Sequence, residues 1–215
     1  MFVIFDVADT MLFSSHDKLK CEYAAEMIYV LADAINKSGD SVGMGMFTDH
    51  YLNTVMPNIG AAVIKNIKSN LLNKDNYGGI FDFKKCLLMT RSLLNSKAVL
   101  IIVSDFLGMG EGWEQYVKML SGDFELIAMM IRDPRDRTLP DSGGQFMLKD
   151  PVSGKNIYID VDQYKELFDS YVLEQEKHIE EVFKRNKGDF LRLVTDEDYL
   201  QKIISFFQRR SKRQD

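Results

Sequence analysis

FVIFDVADTML, residues 2–12, runs four apolar residues into an aspartate, sets a second aspartate three places on, and follows it with a threonine. An apolar run of branched and aromatic side chains that ends in an acid is the pattern of a buried parallel strand presenting a carboxylate at the sheet edge. The pattern returns at AVLIIVSD, residues 98–105, where a fully apolar run ends in Asp105. A third such run, ELIAMMI at 125–131, is a further central strand. Strands this apolar need helices on both faces, and helical periodicity lies between them.

Working outward, residues 18–36 carry Leu19, Tyr23, Met27, Val30, Leu31 and Ala34 at helical spacing, and a glycine at 39 stops the helix. SVGMGMF, 41–47, reads as a strand whose two glycines imply close backbone approach or tight helix packing. Residues 51–56 form a short strand ending at Pro57, which suits a sheet edge. Helices follow over 61–72, 82–94 and 111–120. Residues 133–141 read as loop, and 145–149 with 156–160 as a hairpin joined by the turn-forming PVSGK at 151–155. A long helix over 161–187, a strand over 190–194 and a last helix from 199 to about 209, capped by TDED at 195–198, complete the chain. This is an α/β chain with a doubly wound, mostly parallel sheet, one antiparallel edge strand, helices on both faces and a small hairpin insertion at about 143–160. We expect one domain over 1–209 and a solvated basic tail over 210–215. Because the first strand starts one residue after Met1, a domain taken from a longer parent, or one that has lost a leading part, is expected.

Composition excludes several classes. The 215 residues are 46% hydrophobic and 27% charged, an ordinary globular make-up, and the net charge of −5 argues against a nucleic-acid binder. Two cysteines, Cys21 and Cys86, both within helical stretches, give no disulfide framework or zinc spacing and fit a reducing cytoplasm. There is no signal-peptide pattern and no apolar run long enough to span a bilayer. The three histidines lack metal spacing, and GMG at 43–45 does not open a helix as a phosphate loop would. In a doubly wound sheet ligands sit beyond the carboxyl ends of the strands, which is where Asp6 and Asp105 fall. Two acids meeting there need a cation or a donor-rich loop between them, and Asp9, Thr10, Ser14 and Ser15 offer further oxygens. The plainer alternative is that both aspartates cap the helices that follow them.

Two families resemble the opening stretch. FDVADTML is similar to the nucleophile motif of haloacid-dehalogenase-like phosphatases, with Asp6 at the nucleophile and Thr10 at the threonine. Ala8 stands where that family's acid/base belongs, a loss that commonly costs on the order of a hundredfold in rate. The second resemblance covers residues 2 to about 207. DVADTM resembles the first metal-site motif of von Willebrand factor A-type domains, followed by GDSVGMGMFTD at 39–49 and IIVSDF at 101–106. MIRDPRDRTLPDSGGQFMLKDPVSGKNIYID, 130–160, resembles the corresponding stretch of the domain-of-unknown-function-58 family.

That resemblance implies an adhesion-type site for magnesium or manganese built on Asp6, position 8, Thr10, a middle-loop threonine and Asp105. Here Ala8 has no oxygen to give, and GIFDF at 79–83 puts Phe81 at the threonine. Asp9 and Asp82 are the possible replacements, so the expected site is degenerate, holding its ion weakly or not at all. The resemblance implies a cytoplasmic, non-enzymatic interaction module working with a MoxR-type AAA+ ATPase in protein assembly or maturation. Its partner rim spans 6–15, 78–82 and 105–113, with Ser14, Ser15, Phe81, Met109 and Trp113 as contacts and an acidic partner side chain docking directly or through the metal. The alternatives are a degenerate phosphatase using Asp6, or a structural domain that has lost metal binding.

Overall fold

The computed structural model describes residues 1–94, 97–141, 143–149 and 156–214. A six-stranded sheet is built from β1 (Phe2–Asp6), β2 (Val42–Phe47), β3 (Tyr51–Asn58), β4 (Val99–Ser104), β5 (Glu125–Arg132) and, beyond the hairpin, β8 (Asp189–Val194). Its order is β3-β2-β1-β4-β5-β8, with only β3 antiparallel to its neighbour. Chain order therefore reverses between β1 and β4. That crevice is flanked by Asp6 at the end of β1 and by Ser104 and Asp105 at the end of β4.

Side-chain alternation along the strands sorts the core into two layers. Val3 and Phe5 of β1 belong to the layer that includes Met27 of α1 (Lys20–Lys37), Ile67 of α2 (Ala61–Leu72) and Phe206 of α7 (Tyr199–Gln214). Phe2 and Ile4 belong to the layer on the other face, with Leu87 of α3 (Phe83–Leu93), Val117 of α4 (Glu114–Ser121) and Ile179 of α6 (Val161–Arg185). Each such side chain contributes about 1.5–3 kcal/mol by leaving water. The hairpin pairs β6 (Gln145–Lys149) with β7 (Asn156–Asp160); its expected turn at 151–155 lies outside the described residues.

Three differences from the sequence reading matter. Residues 134–137, expected as loop, form a helical turn, α5 (Pro134–Arg137), with Asp133 and Asp136 closing a capping box around a proline at its start. Residues 9–12, after β1, form a 3-10 turn. The last helix continues through the expected tail to Gln214, and Arg210 pairs with Glu125 and Asp189, fastening it to the ends of β5 and β8.

The strand glycines do permit close approach. A Cβ on Gly45 would sit 2.3 Å from the Tyr51 ring, and one on Gly43 would sit 2.6 Å from the backbone of β3. Tyr51 cannot easily swing away, because its hydroxyl is 2.5 Å from that of Thr90, which donates to the Cys86 carbonyl. Gly45→Ala is expected to lower stability by about 1–3 kcal/mol, read as a lower urea midpoint with an unchanged slope. An unmoved midpoint would contradict this packing.

Candidate functional site

β1 delivers Asp6 into a buried position. Its Oδ1 accepts from the Ala8 N–H at 3.0 Å and its Oδ2 from the Ser104 hydroxyl at 2.6 Å. Burial, reinforced by the nearby Asp105 charge, outweighs these bonds and pushes its pKa up to about 8. At neutral pH Asp6 is thus mainly a neutral acid. Across the crevice Asp105 is buried as well. Its Oδ1 accepts from the Leu107 N–H at 2.9 Å, while Phe106 between them adopts a left-handed backbone (φ 54°) and donates its N–H to Ser104 Oγ at 2.9 Å. Left-handed backbone costs a bulky residue on the order of 1 kcal/mol, so the tight turn that aims Asp105 is held by its surroundings.

The partner of Asp105 is a residue the sequence reading missed. Lys20, in the first turn of α1, is fully buried, and its ammonium lies 2.8 Å from Asp105 Oδ2 and 2.7 Å from Asp136 Oδ2. Burial alone would favour loss of its proton, but the attraction of Asp105 and Asp136 prevails and holds its pKa above the ordinary lysine value. Asp136 reaches this point because the α5 capping box fixes it, its Oδ2 also accepting from the Asp133 N–H at 2.9 Å. Asp133 in turn accepts from the Ser15 N–H at 2.8 Å and the Arg135 N–H at 2.8 Å. A strap of residues 13–18 is thereby closed over Lys20, with the Phe13 ring centroid 5.7 Å from the ammonium. Ser14 shapes the same strap, its hydroxyl placed to donate to the His16 and Lys18 carbonyls.

Of the expected site residues, Asp6 and Asp105 do flank one crevice. Thr10 has a buried hydroxyl oxygen without a hydrogen-bond partner. Asp9 and Asp82 are engaged in holding loops. Asp9 accepts from the Gly79 N–H at 2.8 Å and donates its own N–H to the Gly79 carbonyl at 2.8 Å. Asp82 caps α3 through the Lys85 N–H at 3.0 Å. Both φ angles of Gly78 and Gly79 are +109°, a backbone open only to glycine, and this lets the middle loop lie against residues 7–9. Among the described residues no group of three or more His, Cys, Asp or Glu is placed to hold a metal ion.

The rim requires correction. Phe81, Met109 and Trp113, expected as contacts, are buried rather than exposed at the rim. Phe81 stacks edge-on to Phe47 with centroids 6.3 Å apart, and Trp113 meets Phe83 at 6.0 Å, because these large rings gain more from the core beneath the loops than from the surface. The apolar side chains that do face out at this edge are Leu12 (38% exposed), Phe13 (41%) and Ile80 (64%). Of these, Leu12 lines an open groove of about 680 Å³ that continues between α1 and α2 past Leu19, Tyr29 and Leu72. Lys20 points inward, and the cations that line the groove are Lys18, Lys68 and Lys74.

A second buried charge cluster lies beside the site. Glu176 of α6 accepts from Arg137 Nε at 3.0 Å and Arg192 at 2.8 Å, with the buried Arg132 at 3.7 Å. Arg132 also donates to Gln175 at 3.0 Å. Elsewhere, Tyr164, Leu167 and Tyr171 form an exposed apolar stripe on α6. No helix among the described residues is long and apolar enough to cross a membrane.

The family described as "Protein of unknown function DUF58" matches residues 1–179. An uncharacterized protein of Mycobacterium tuberculosis is 30% identical over 119 residues, covering 54% of this chain and 36% of that protein. The chain thus spans about a third of the length of such curated relatives. Among solved structures, the conserved hypothetical protein BatB from Bacteroides thetaiotaomicron superimposes with a TM-score of 0.61 at 18% identity, covering 98% of this chain and 96% of that one. An aerotolerance-related membrane protein from Bacteroides fragilis gives 0.60 at 16% identity, covering 98% of each. At these identities the likeness is one of fold. What these structures share with the chain is the α/β architecture, a mostly parallel sheet with helices around it.

Proposed function

Since the chain belongs to the family described as protein of unknown function DUF58, we propose that it is a non-enzymatic interaction module whose protein partner docks on the carboxyl edge of the sheet. One observation carries this reading: two loops, residues 7–12 and 78–80, are stitched together by three backbone-donated hydrogen bonds of 2.8 Å, and Leu12 and Ile80 on them, with Phe13 next in the chain, are exposed. A preformed apolar edge binds with little ordering cost, which is what a reusable docking face requires. Beneath it Lys20 is paired with Asp105 and Asp136, so the exposed apolar side chains are the centre of the contact and Lys18, Lys68 and Lys74 its charged border. Following the family resemblance, the partner is a MoxR-type AAA+ ATPase and the joint task is protein assembly or maturation. Buried free thiols at Cys21 and Cys86 support a reducing, cytoplasmic setting.

A phosphatase reading is disfavoured by the same geometry. Attack on phosphorus needs an ionised carboxylate, whereas Asp6 is largely protonated at neutral pH and both its oxygens are engaged. No turnover of an aryl phosphate with magnesium is expected. Magnesium-dependent turnover abolished by Asp6→Asn would reinstate the enzyme.

The partner experiment is retention of a purified MoxR-type AAA+ ATPase on the immobilised chain. Wild type should retain it, and Phe13→Asp and Ile80→Asp should weaken binding by about tenfold or more while circular dichroism stays unchanged. Equal retention by wild type and both variants would refute the docking face.

A further inference from the structure

The adhesion-type site implied by the fold family places a divalent cation against the carboxylates at this edge, and the residues present do not fit one. Ala8 offers no oxygen, Phe81 replaces a hydroxyl with a buried ring, and both Asp6 oxygens are hydrogen-bonded within the chain. Above all, a cation is already there. The Lys20 ammonium sits 2.8 Å from Asp105 and 2.7 Å from Asp136, with its side chain 1% exposed.

We propose that Lys20 is the resident cation of this site: a tethered ammonium that takes the charge-balancing place of the metal and excludes magnesium and manganese.

Three physical points support this. A cation in the first turn of a helix opposes the positive end of the helix dipole, so Lys20 is poorly placed unless something specific holds it. Burying the long lysine side chain also forfeits its rotamer freedom. Both costs are offset by two carboxylates delivered from different elements, Asp105 after β4 and Asp136 from α5, and by the face of the Phe13 ring. A divalent ion bound to Asp105 would lie within a few ångströms of this fixed positive charge in a dry setting, where repulsion is weakly screened. Without the ammonium, Asp105 and Asp136 would be left with their charges unbalanced. The lysine thus supplies, from within the chain, the positive charge that Asp105 and Asp136 require. This holds whichever partner docks above it, so failure of the docking reading leaves it standing.

The test uses manganese alone on the intact chain. Wild type should show the same melting temperature in chelator and in manganese, and no saturable Mn²⁺ binding by electron paramagnetic resonance. Lys20→Ala, melting lower in chelator, should regain about 5 °C when Mn²⁺ stands about 100-fold above its Kd. Adding Asp105→Asn to Lys20→Ala should abolish that response. Lys20→Gln, which fills more of the space without charge, is the second variant should Lys20→Ala fail to fold. Saturable Mn²⁺ binding by wild type that Asp105→Asn removes overturns the proposal, as does a folded Lys20 variant no more responsive to Mn²⁺ than wild type. If neither variant folds, the wild-type titration decides alone.

Discussion

Replacing Glu176 with alanine is expected to lower stability by about 3–5 kcal/mol, the usual cost of removing one partner from a buried ion cluster. Glu176 is the carboxylate on which Arg132, Arg137 and Arg192 converge. Arg137 and Arg192 are partly exposed and can turn toward water when it is lost. Arg132 cannot: its side chain is 0% exposed, and its Nε and Nη1 already lack hydrogen-bond partners. Most of the penalty is therefore the desolvated charge left on Arg132, and thermal melting should fall by about 10 °C. Two comparisons make the assignment specific. Removing both charges together, as Arg132→Met with Glu176→Leu, should recover much of the loss, since a well-packed apolar pair is often no worse than a buried ion pair. Glu180→Ala breaks only an exposed pair with Lys184 and should change stability by about 0.5 kcal/mol or less. Equal effects at positions 176 and 180 would contradict the cluster.

The second large effect is a pH dependence carried by Asp6. Its pKa rises from 3.8 to about 8 on folding, through burial first and the Asp105 charge second. Between these values the unfolded chain releases the proton while the native chain keeps it. The native state then binds more protons, and stability must fall as pH rises through this window, levelling off above about 8. Other carboxylates slope the opposite way, as Asp133 does, whose bonds from Ser15 overcome its burial and hold its pKa below the ordinary value. The contribution of Asp6 is therefore read as a difference. Asp6→Asn keeps the shape, with the amide oxygen able to accept from the Ala8 N–H and the amide nitrogen able to donate to Ser104. From about pH 5 to about pH 8 wild type should lose about 2–4 kcal/mol relative to Asp6→Asn. Parallel urea-midpoint profiles for the two proteins would mean that Asp6 ionises normally.

Much of the fold was legible because strand burial writes itself into composition. Residues 98–103 and 126–131 are apolar on both faces, as β4 and β5 in the sheet centre must be, and Pro57 marked the antiparallel edge. Asp6 and Asp105 were legible for the same reason, as acids that end apolar runs. Lys20 was not: it is one lysine at the start of an amphipathic helix, and the helix dipole argues against a buried cation there. Its significance depends on Asp136, which arrives from 116 residues away in sequence. The signal for α5 was present, since DPRD carries an acid at the cap, proline at the first position and an acid at the third. Glu176 also left a trace, falling with Val172, Ile179 and Phe183 on the buried stripe of α6. Phe81, Met109 and Trp113 lie in loops whose composition does not say which way a side chain turns; only packing against Phe47 and Phe83 decides that.

The docking face is tested most directly by hydrogen exchange on the chain with and without a MoxR-type AAA+ ATPase. Binding should slow exchange of the amides in residues 9–15 and 78–82, around the exposed Leu12, Phe13 and Ile80. Protection confined to α6, along its exposed stripe of Tyr164, Leu167 and Tyr171, would place the partner elsewhere and contradict the account.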